Sequence, residues 1–479
     1  MAEKIWSIPV WFMGFAAAWL MNTIVECQLI PARLCYVVFA VVCLWAALSA
    51  WKKRDENHIL RLIGTVMACF GLLFVLKFSY MDAWHDVMPY TPNASGTPSG
   101  NHHIGYVQWF IEKGSLPLVN PIEDDLSIFA HPPLFYAVMA VFLKVNLLLG
   151  IPLEAALENL QVLNMAFSLG CWYTMVQIVR EWKTRCSYAG ALLAAAQPIL
   201  FMLGCALNND IFSVLCILRC LMWALRWLRT KQIKPLALTG CWLGLGMATK
   251  FTAALLIPAL GVVMAIVFLR DLRSWRKYTL QYGVFLLISV PLGIAWPLYQ
   301  LLKWGVPLGF VRAVDAPMLD QLTLWQRYGF PGAEALKQLF FRNSALTDHN
   351  LWFQLLKTAM FDEKVLFRAQ TWMWYVSYAA LIAYALWMAM AVFSGRRFLR
   401  KCDMPCLLMV LYAATLFLYN IKFTLDMPYV CSINFRYIVP LILPAAISWA
   451  NHRPTRMSKA TGLISCGLSV IVYGAYFFG

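Results

Sequence analysis

The chain repeats runs of about 20 consecutive apolar residues, each long enough at 1.5 Å per residue to cross roughly 30 Å of hydrocarbon. Inside a bilayer every backbone N–H and C=O must be satisfied by protein, and a helix does this within one segment. With 61% hydrophobic residues, 13% charged residues and a mean hydropathy of +0.65, the 479 residues read as an all-α polytopic membrane protein. The expected spans are 6–26, 32–51, 60–80, 159–180, 187–206, 211–229, 236–248, 252–270, 279–301, 372–394, 404–421, 437–451 and 460–478, about thirteen transmembrane helices in all.

A net charge of +16 would suggest a nucleic-acid partner in a soluble chain. Here the cations fall in short clusters between apolar segments: Lys52 to Arg54, Arg180 to Arg185, Arg226 to Lys234, Arg270 to Lys277, Arg396 to Lys401 and Arg453 to Lys459. They alternate with ends poor in Lys and Arg, which is the pattern of cytoplasmic loops, so no nucleic acid is expected. With Lys4 inside, the N-terminus is expected in the cytoplasm and the C-terminus outside, and the first segment is expected to remain as an anchor because no small-residue cleavage site follows it. The expected organisation is N-terminal helices over 1–80, a first outer loop over 81–158, a transmembrane core over 159–301, a second outer loop over 302–371 and C-terminal helices over 372–479. Pro132 to Gly150 is apolar but is followed by Glu154 and Glu158 rather than a basic cluster, so it reads as a helix lying on the outer interface.

Chemistry concentrates in the first outer loop. Met81 to Phe135 gathers Asp82, His85, Asp86, His102, His103, Glu123, Asp124, Asp125 and His131 in a chain otherwise sparing with charge. Most of the 14 Cys lie inside expected spans without C-x-x-C spacing and read as core packing. Gly240, Gly244 and Gly246 read as a seam for close helix approach. There is no Walker motif and no G-x-G-x-x-G after a strand, which argues against ATP or a nucleotide sugar as the direct substrate.

Several segments, in order, resemble one family. His103-Ile-Gly-Tyr-Val-Gln-Trp-Phe-Ile-Glu-Lys-Gly-Ser-Leu-Pro117 followed by His131-Pro-Pro-Leu-Phe-Tyr136 is similar to the first outer loop of lipid-linked-sugar glycosyltransferases of the GT-C fold. Leu207-Asn-Asn-Asp-Ile-Phe212, Gly244-Leu-Gly-Met-Ala-Thr-Lys-Phe-Thr-Ala253 and Asn434-Phe-Arg-Tyr437 then follow in the family's order. The likeness is to the protein O-mannosyltransferase group, family 39, with its aminoarabinose-transferase relatives. Many members carry an Asp-Glu pair shortly before the histidine matching His103, where this chain has Ser99 and Gly100. His85-Asp86-Val87 instead resembles a bacterial subgroup, and that resemblance moves the catalytic role to Asp86, with Asp82 in reserve.

The implied activity is transfer of a sugar from a polyprenyl phosphate to an acceptor hydroxyl on a glycan, lipid or protein. An Asp with an ordinary pKa of about 3.9 is already ionised to take the acceptor's proton. His85 and His103 are implied to orient that acid or bond phosphate, and His131 stands where some relatives use Lys to touch phosphate. Lys250 and Arg436, cations on the outer side, are candidates for the lipid phosphate, since a cation at membrane depth normally has an anionic partner. Asn208, Asn209 and Asp210 read as a helix cap with an acid in the first turn, with donor contact from Asn209 and Asp210 as the family-based alternative. Glu363, in a segment similar to one of the same subgroup, is a candidate for sugar or acceptor hydroxyls. No cofactor is required by this chemistry; a divalent metal on His85, His102, His103 and Asp86 is the weaker alternative, because the spacing lacks a tight H-x-x-x-H pair. Two other function classes compete, a secondary transporter and a non-enzymatic scaffold; the first should show repeated halves, which the chain lacks. The subgroup resemblance favours a bacterial cytoplasmic membrane over the endoplasmic reticulum.

Overall fold

The computed structural model describes residues 8–78, 103–122, 126–182, 184–310, 322–330, 332, 349–361, 371–394, 403–426, 433–451 and 456–478. Within them the chain is helical throughout: α1 (Ile8–Glu26), α2 (Ala32–Lys53), α3 (Glu56–Lys77), α4 (His103–Lys113), α5 (Leu134–Leu148), α6 (Leu153–Glu181), α7 (Ser187–Ala195), α8 (Pro198–Cys205) and α9 (Asp210–Thr230). Then come α10 (Ile233–Thr249), α11 (Ile257–Arg270), α12 (Trp275–Trp304), α13 (Leu324–Tyr328), α14 (Leu351–Phe361), α15 (Thr371–Ser394), α16 (Met404–Asp426), α17 (Ile442–Asn451) and α18 (Arg456–Phe478). Among the described residues, eight helical stretches are long and apolar enough to cross a bilayer, and α7 with α8 would make a ninth. The protein is an integral membrane protein.

The remaining four expected spans are helical but differ in length. The first is α1, within which Val10–Glu26 makes an apolar stretch of 17 residues. The expected span 236–248 is the 17-residue α10, and 437–451 is a 3-10 turn, Phe435–Leu441, followed by the 10-residue α17. The last is the 23-residue α18. The count of thirteen full crossings is therefore not reproduced. The reason at 437–451 is visible in the sequence: Pro440 removes a backbone donor and tightens the chain before α17 begins. The 187–206 span breaks at Ala196 and Gln197, just before Pro198, and Gln197 turns its amide to Leu193 O and its Oε1 to the Tyr384 hydroxyl.

The chain divides into two compact units. The first comprises Met1–Ile178, Leu200–Ala254 and Met264–Phe310. In it α9, α10 and α12 pack along their lengths, and α4 lies on α5. The glycine seam works as its spacing suggests. A Cβ on Gly240 would sit 2.8 Å from Phe285 O, and one on Gly244 would sit 2.7 Å from Leu292 Cβ, both on α12. Small residues here let α10 and α12 approach to backbone contact. Gly305, at φ 70°, ends α12 in the left-handed region where a side chain would be strained. At 15 residues α5 is too short for a full crossing. It buries Phe135, Tyr136, Met139 and Leu143 in a cluster shared with Ile104, Tyr106 and Val107 of α4. A polar network ties α1 to α5 and α6: Trp19 Nε1 donates to Asn146 Oδ1 at 2.8 Å, and Asn159 Nδ2 donates to Asn146 Oδ1 and Thr23 Oγ1, both at 2.8 Å.

The second unit comprises Val179–Ile199, Leu255–Val263 and Val311–Gly479. Its α17 packs on α7, where a Cβ on Gly190 would meet Ala446 O at 2.7 Å, and α15 packs on α17 and α18. The 3-10 turn Phe435–Leu441 is fastened to α14 by a 2.9 Å bond from Phe435 N to Thr358 Oγ1.

The seam sets a test. Gly240→Leu should force α10 from α12 and cost about 1–3 kcal/mol, the usual penalty for overpacking. Gly283→Ala, on α12 with nothing within 4 Å of its added Cβ, should leave thermal unfolding in detergent unchanged or slightly raised. Equal melting temperatures for the two variants would contradict the close approach.

Candidate functional site

Two polar groups form at one end of the first unit. The first begins where α4 and α5 start. Pro132 and Pro133 stop any earlier helix and Pro133 stands at the N-cap of α5, which brings Tyr136 into its first turn. His103, the first residue of α4, is buried, and its Nδ1 shares a 2.6 Å hydrogen bond with the Tyr136 hydroxyl. The His131 ring stacks at 5.8 Å from His103, and the Tyr106 and Tyr136 rings stack at 4.0 Å. Burial pushes the Tyr106 phenol well above its ordinary pKa, so it stays a neutral donor, giving a 3.3 Å bond to His131 O. From α12, Gln300 Nε2 donates to Phe129 O at 2.8 Å and holds the segment that leads into His131.

The second group lies at the start of α9 and the end of α10. Lys250 forms an ion pair with Asp210, and both side chains are largely buried. In place of the lipid phosphate expected as the anion at Lys250, the structure supplies a protein carboxylate from 40 residues earlier. Asn209 stands at the N-cap of α9 but makes no side-chain cap bond. Its Nδ2 donates to Thr249 O at 3.1 Å, while Asn208 Oδ1 accepts from Asp210 N at 3.0 Å. The capping role is therefore corrected: Asn209 ties α9 to the last residue of α10, and the local turn is closed by Asn208. Asn208 Nδ2, Asn209 Oδ1 and Ser213 Oγ are buried and, among the described residues, find no hydrogen-bond partner. Buried amides left in this state are costly, so they mark a place where a hydroxyl or water would be favourably held.

The two groups share one apolar cluster. Leu207 is buried in the same cluster as Tyr106, Phe129 and Tyr136, and Phe212 packs against it, so the residues on either side of Asn208 to Asp210 lean on α4 and α5. At the opposite ends of these helices lie the cations: Arg226 and Arg229 at the end of α9, Lys231 and Lys234 at the turn into α10, and Arg276 and Lys277 at the start of α12. Gln281 fastens that basic end, accepting from Trp227 Nε1 at 2.9 Å and donating to Lys231 O at 2.9 Å. Imidazoles, phenols and the ion pair thus gather at one end of unit 1, and clustered cations at the other.

Arg436 belongs to the second unit. Its backbone N donates to Asn434 Oδ1 at 2.9 Å, and its guanidinium donates from Nη2 to the Tyr437 hydroxyl at 2.8 Å and lies 4.8 Å from the Tyr437 ring centroid. On α14, Lys357 and Thr358 are buried beside this turn. Asp82, His85, Asp86 and Glu363 lie outside the described residues, as do His102 and Glu123 to Asp125. Among the described residues no group of three or more His, Cys, Asp or Glu could hold a metal. Tyr136, Tyr106 and Gln300 join the candidates expected from the sequence. Tyr136 had a local signal, since it falls in the first turn after the Pro-Pro step that follows His131. Gln300 had none, as it acts across 171 residues.

Residues 130–296 match the family model described as dolichyl-phosphate-mannose-protein mannosyltransferase. The matched segment contains His131, Tyr136, Asn209, Asp210 and Lys250, whereas the motifs His103–Pro117 and Asn434–Tyr437 lie outside it. Among solved structures, ArnT from Cupriavidus metallidurans bound to undecaprenyl phosphate aligns at 17% identity and a TM-score of 0.48 over 83% of this chain, which spans 62% of that protein. The apo form of the same protein aligns at 15% identity and a TM-score of 0.36, over 85% of this chain and 77% of that one. No curated protein sequence matches the chain significantly.

The ion pair is open to a double-mutant cycle. Lys250→Met leaves Asp210 buried without its cation and should destabilise the protein by about 3–5 kcal/mol, whereas Asp210→Asn with Lys250→Met should recover a large part of the loss. Unfolding by heat in detergent reads both. Additive effects of the two substitutions would contradict a coupled pair.

Proposed function

We propose that the protein is an integral-membrane glycosyltransferase that moves a sugar from a polyprenyl-phosphate donor to an acceptor hydroxyl on the face of the membrane away from the cytoplasm. The observation that carries this reading is the segregation within the matched segment: imidazole, phenol and a buried ion pair at one end of unit 1, Arg and Lys clusters at the other. Basic clusters mark the cytoplasmic side, which assigns the polar end to the outer face. The acceptor is a glycan, lipid or protein, and the subgroup resemblance favours the bacterial cytoplasmic membrane.

In this reading the Asp86 carboxylate takes the proton of the acceptor hydroxyl as its oxygen attacks the anomeric carbon. The bond from that carbon to the phosphate oxygen breaks, and its electron pair leaves on the polyprenyl phosphate. One displacement by one acceptor inverts the anomeric centre, without the second carboxylate used in retaining hydrolysis. Asp82, four residues before Asp86, is the reserve base.

The leaving phosphate is already anionic and needs donors and positive charge more than a general acid. His131 is assigned to it, with His103 held in orientation by Tyr136; the resemblance separately makes Arg436, in the second unit, a phosphate candidate. Arg436 presents a planar guanidinium suited to two phosphate oxygens at once. Lys250 is neutralised by Asp210, so the pair acts as a fixed dipole beside the donor rather than as a bare cation. Asn209, with its unsatisfied Oδ1, and Asp210 are assigned to sugar hydroxyls, as is Glu363. His85 is assigned to orient Asp86.

Purified protein in nanodiscs should turn over a polyprenyl-phospho-sugar, and Asp86→Asn should lower turnover by about 10²–10⁴-fold while donor binding survives. Unchanged turnover in Asp86→Asn would move the base to Asp82 or Glu363. A wild-type protein inert toward every polyprenyl-phospho-sugar donor would overturn the transferase reading.

A further inference from the structure

The first half of α12 is held in unit 1 by one face and exposed on the other. Tyr278, Gln281 and Phe285 are buried, and Gln281 is fixed by its bonds to Trp227 and Lys231. On the other face Arg276, Thr279, Leu280, Gly283 and Leu287 are exposed, at the steps of three and four residues that keep side chains in line along a helix. With Trp275 and Val284 they line a groove of about 510 Å³. The groove is open at Gly283, where an added Cβ meets nothing within 4 Å.

The groove is polar where α12 begins and apolar beyond. At its head the Arg276 guanidinium lies 5.4 Å from the Trp275 ring centroid and, among the described residues, forms no ion pair. The acid nearest in sequence, Asp271, accepts instead from the Tyr278 hydroxyl at 3.3 Å. Residues 226–234 and 270–277 carry eight Lys and Arg against that one acid, so these segments hold a large excess of positive charge. Thr279 stands one turn further along. Thr230, Thr239 and Thr249 each donate to the carbonyl four residues back, the usual outlet for a helical hydroxyl. Thr279 makes no hydrogen bond among the described residues, so its hydroxyl is open to another partner. Past it the walls are Leu280 and Leu287, 63% and 75% exposed, with Gly283 between them about 10 Å along the helix from Arg276.

We propose that this groove binds one anionic phospholipid from the leaflet at the basic end of α12. The phosphodiester would sit on Arg276, with Trp275 at the headgroup level where indoles are favoured. The Thr279 hydroxyl would donate to a glycerol ester carbonyl one turn further in, and an acyl chain would lie over Gly283 between Leu280 and Leu287. Cation, hydroxyl and apolar notch thus follow one another along the helix in the order in which phosphate, ester and chain follow one another in the lipid. Charge complementarity selects the occupant: a zwitterionic headgroup brings its own ammonium to segments already in positive excess, whereas an anionic one offsets it. The site is independent of the transferase reading, because it lies at the opposite end of unit 1 from the imidazoles and the ion pair, and its readout is lipid rather than turnover.

The test is retention of palmitoyl-oleoyl phosphatidylglycerol by the full chain in phosphatidylcholine nanodiscs, read by native mass spectrometry after release. Wild type should hold one phosphatidylglycerol in preference to phosphatidylcholine, and Arg276→Gln should weaken that binding by about tenfold. Gly283→Phe, which fills the notch and leaves the charge, should weaken it as well. Lys277→Gln removes the same charge one residue on, from an ammonium that lies 5.8 Å from the Tyr278 ring centroid and outside the groove lining, and should leave it unchanged. All three positions are exposed, so the variants should keep the wild-type melting temperature in detergent. Equal losses in Arg276→Gln and Lys277→Gln would mean diffuse attraction to a basic surface and would overturn the proposal. So would unchanged retention in Gly283→Phe, equal retention of phosphatidylcholine by wild type, or displacement by undecaprenyl phosphate at equal concentration.

Discussion

The ion pair between Asp210 and Lys250 is the contact on which the polar end of the first unit depends. Its two residues lie 40 positions apart, at the start of one membrane helix and the end of the next, and both side chains are largely buried. In such surroundings neither charge is tolerable alone, so the two helix ends must meet for either to be buried. Asn209 adds a neutral bond from the same turn to Thr249 O. Once these ends are joined, Leu207 and Phe212 are brought against α4 and α5, and the short helices acquire the wall on which His103, His131 and Tyr136 are ordered.

Close packing lets that junction form. Gly240 and Gly244 bring α10 onto α12 at backbone distance, and Gln300 near the end of α12 reaches Phe129 O on the way to His131. A side chain in the seam would therefore disturb the site from a distance, through helix position alone. The same helices carry their cations at the other end, which separates the basic clusters from the imidazoles, phenols and ion pair.

Much of this architecture was legible in the sequence because it depends on local composition. Apolar length located helices at every expected span, and the glycine spacing indicated a seam. What local pattern could not reveal were partnerships across the chain. Lys250 stood out as a cation at depth, but its partner lies in another helix, and only the fold brings Asp210 to it. Asn209 has the residue type and position of a cap, yet its amide is drawn to Thr249 O, an interaction that depends on where α10 ends. Broken helices were hidden for a related reason: at Ala196–Gln197 and at Phe435–Leu441 the apolar character continues while the backbone does not. Asp82, His85, Asp86 and Glu363, on which the chemistry of the sequence reading rests, lie outside the described residues and stand on residue type and resemblance alone.

The central claim is that the polar end of unit 1 receives a polyprenyl phosphate. A photoreactive benzophenone analogue of undecaprenyl phosphate, cross-linked to the protein in nanodiscs and mapped by peptide mass spectrometry, tests it most directly. The account requires labelling in the peptides holding His131 to Tyr136 and Leu207 to Asp210, with loss of label when unmodified undecaprenyl phosphate competes. Labelling confined to other helices, or label that does not compete, would contradict it.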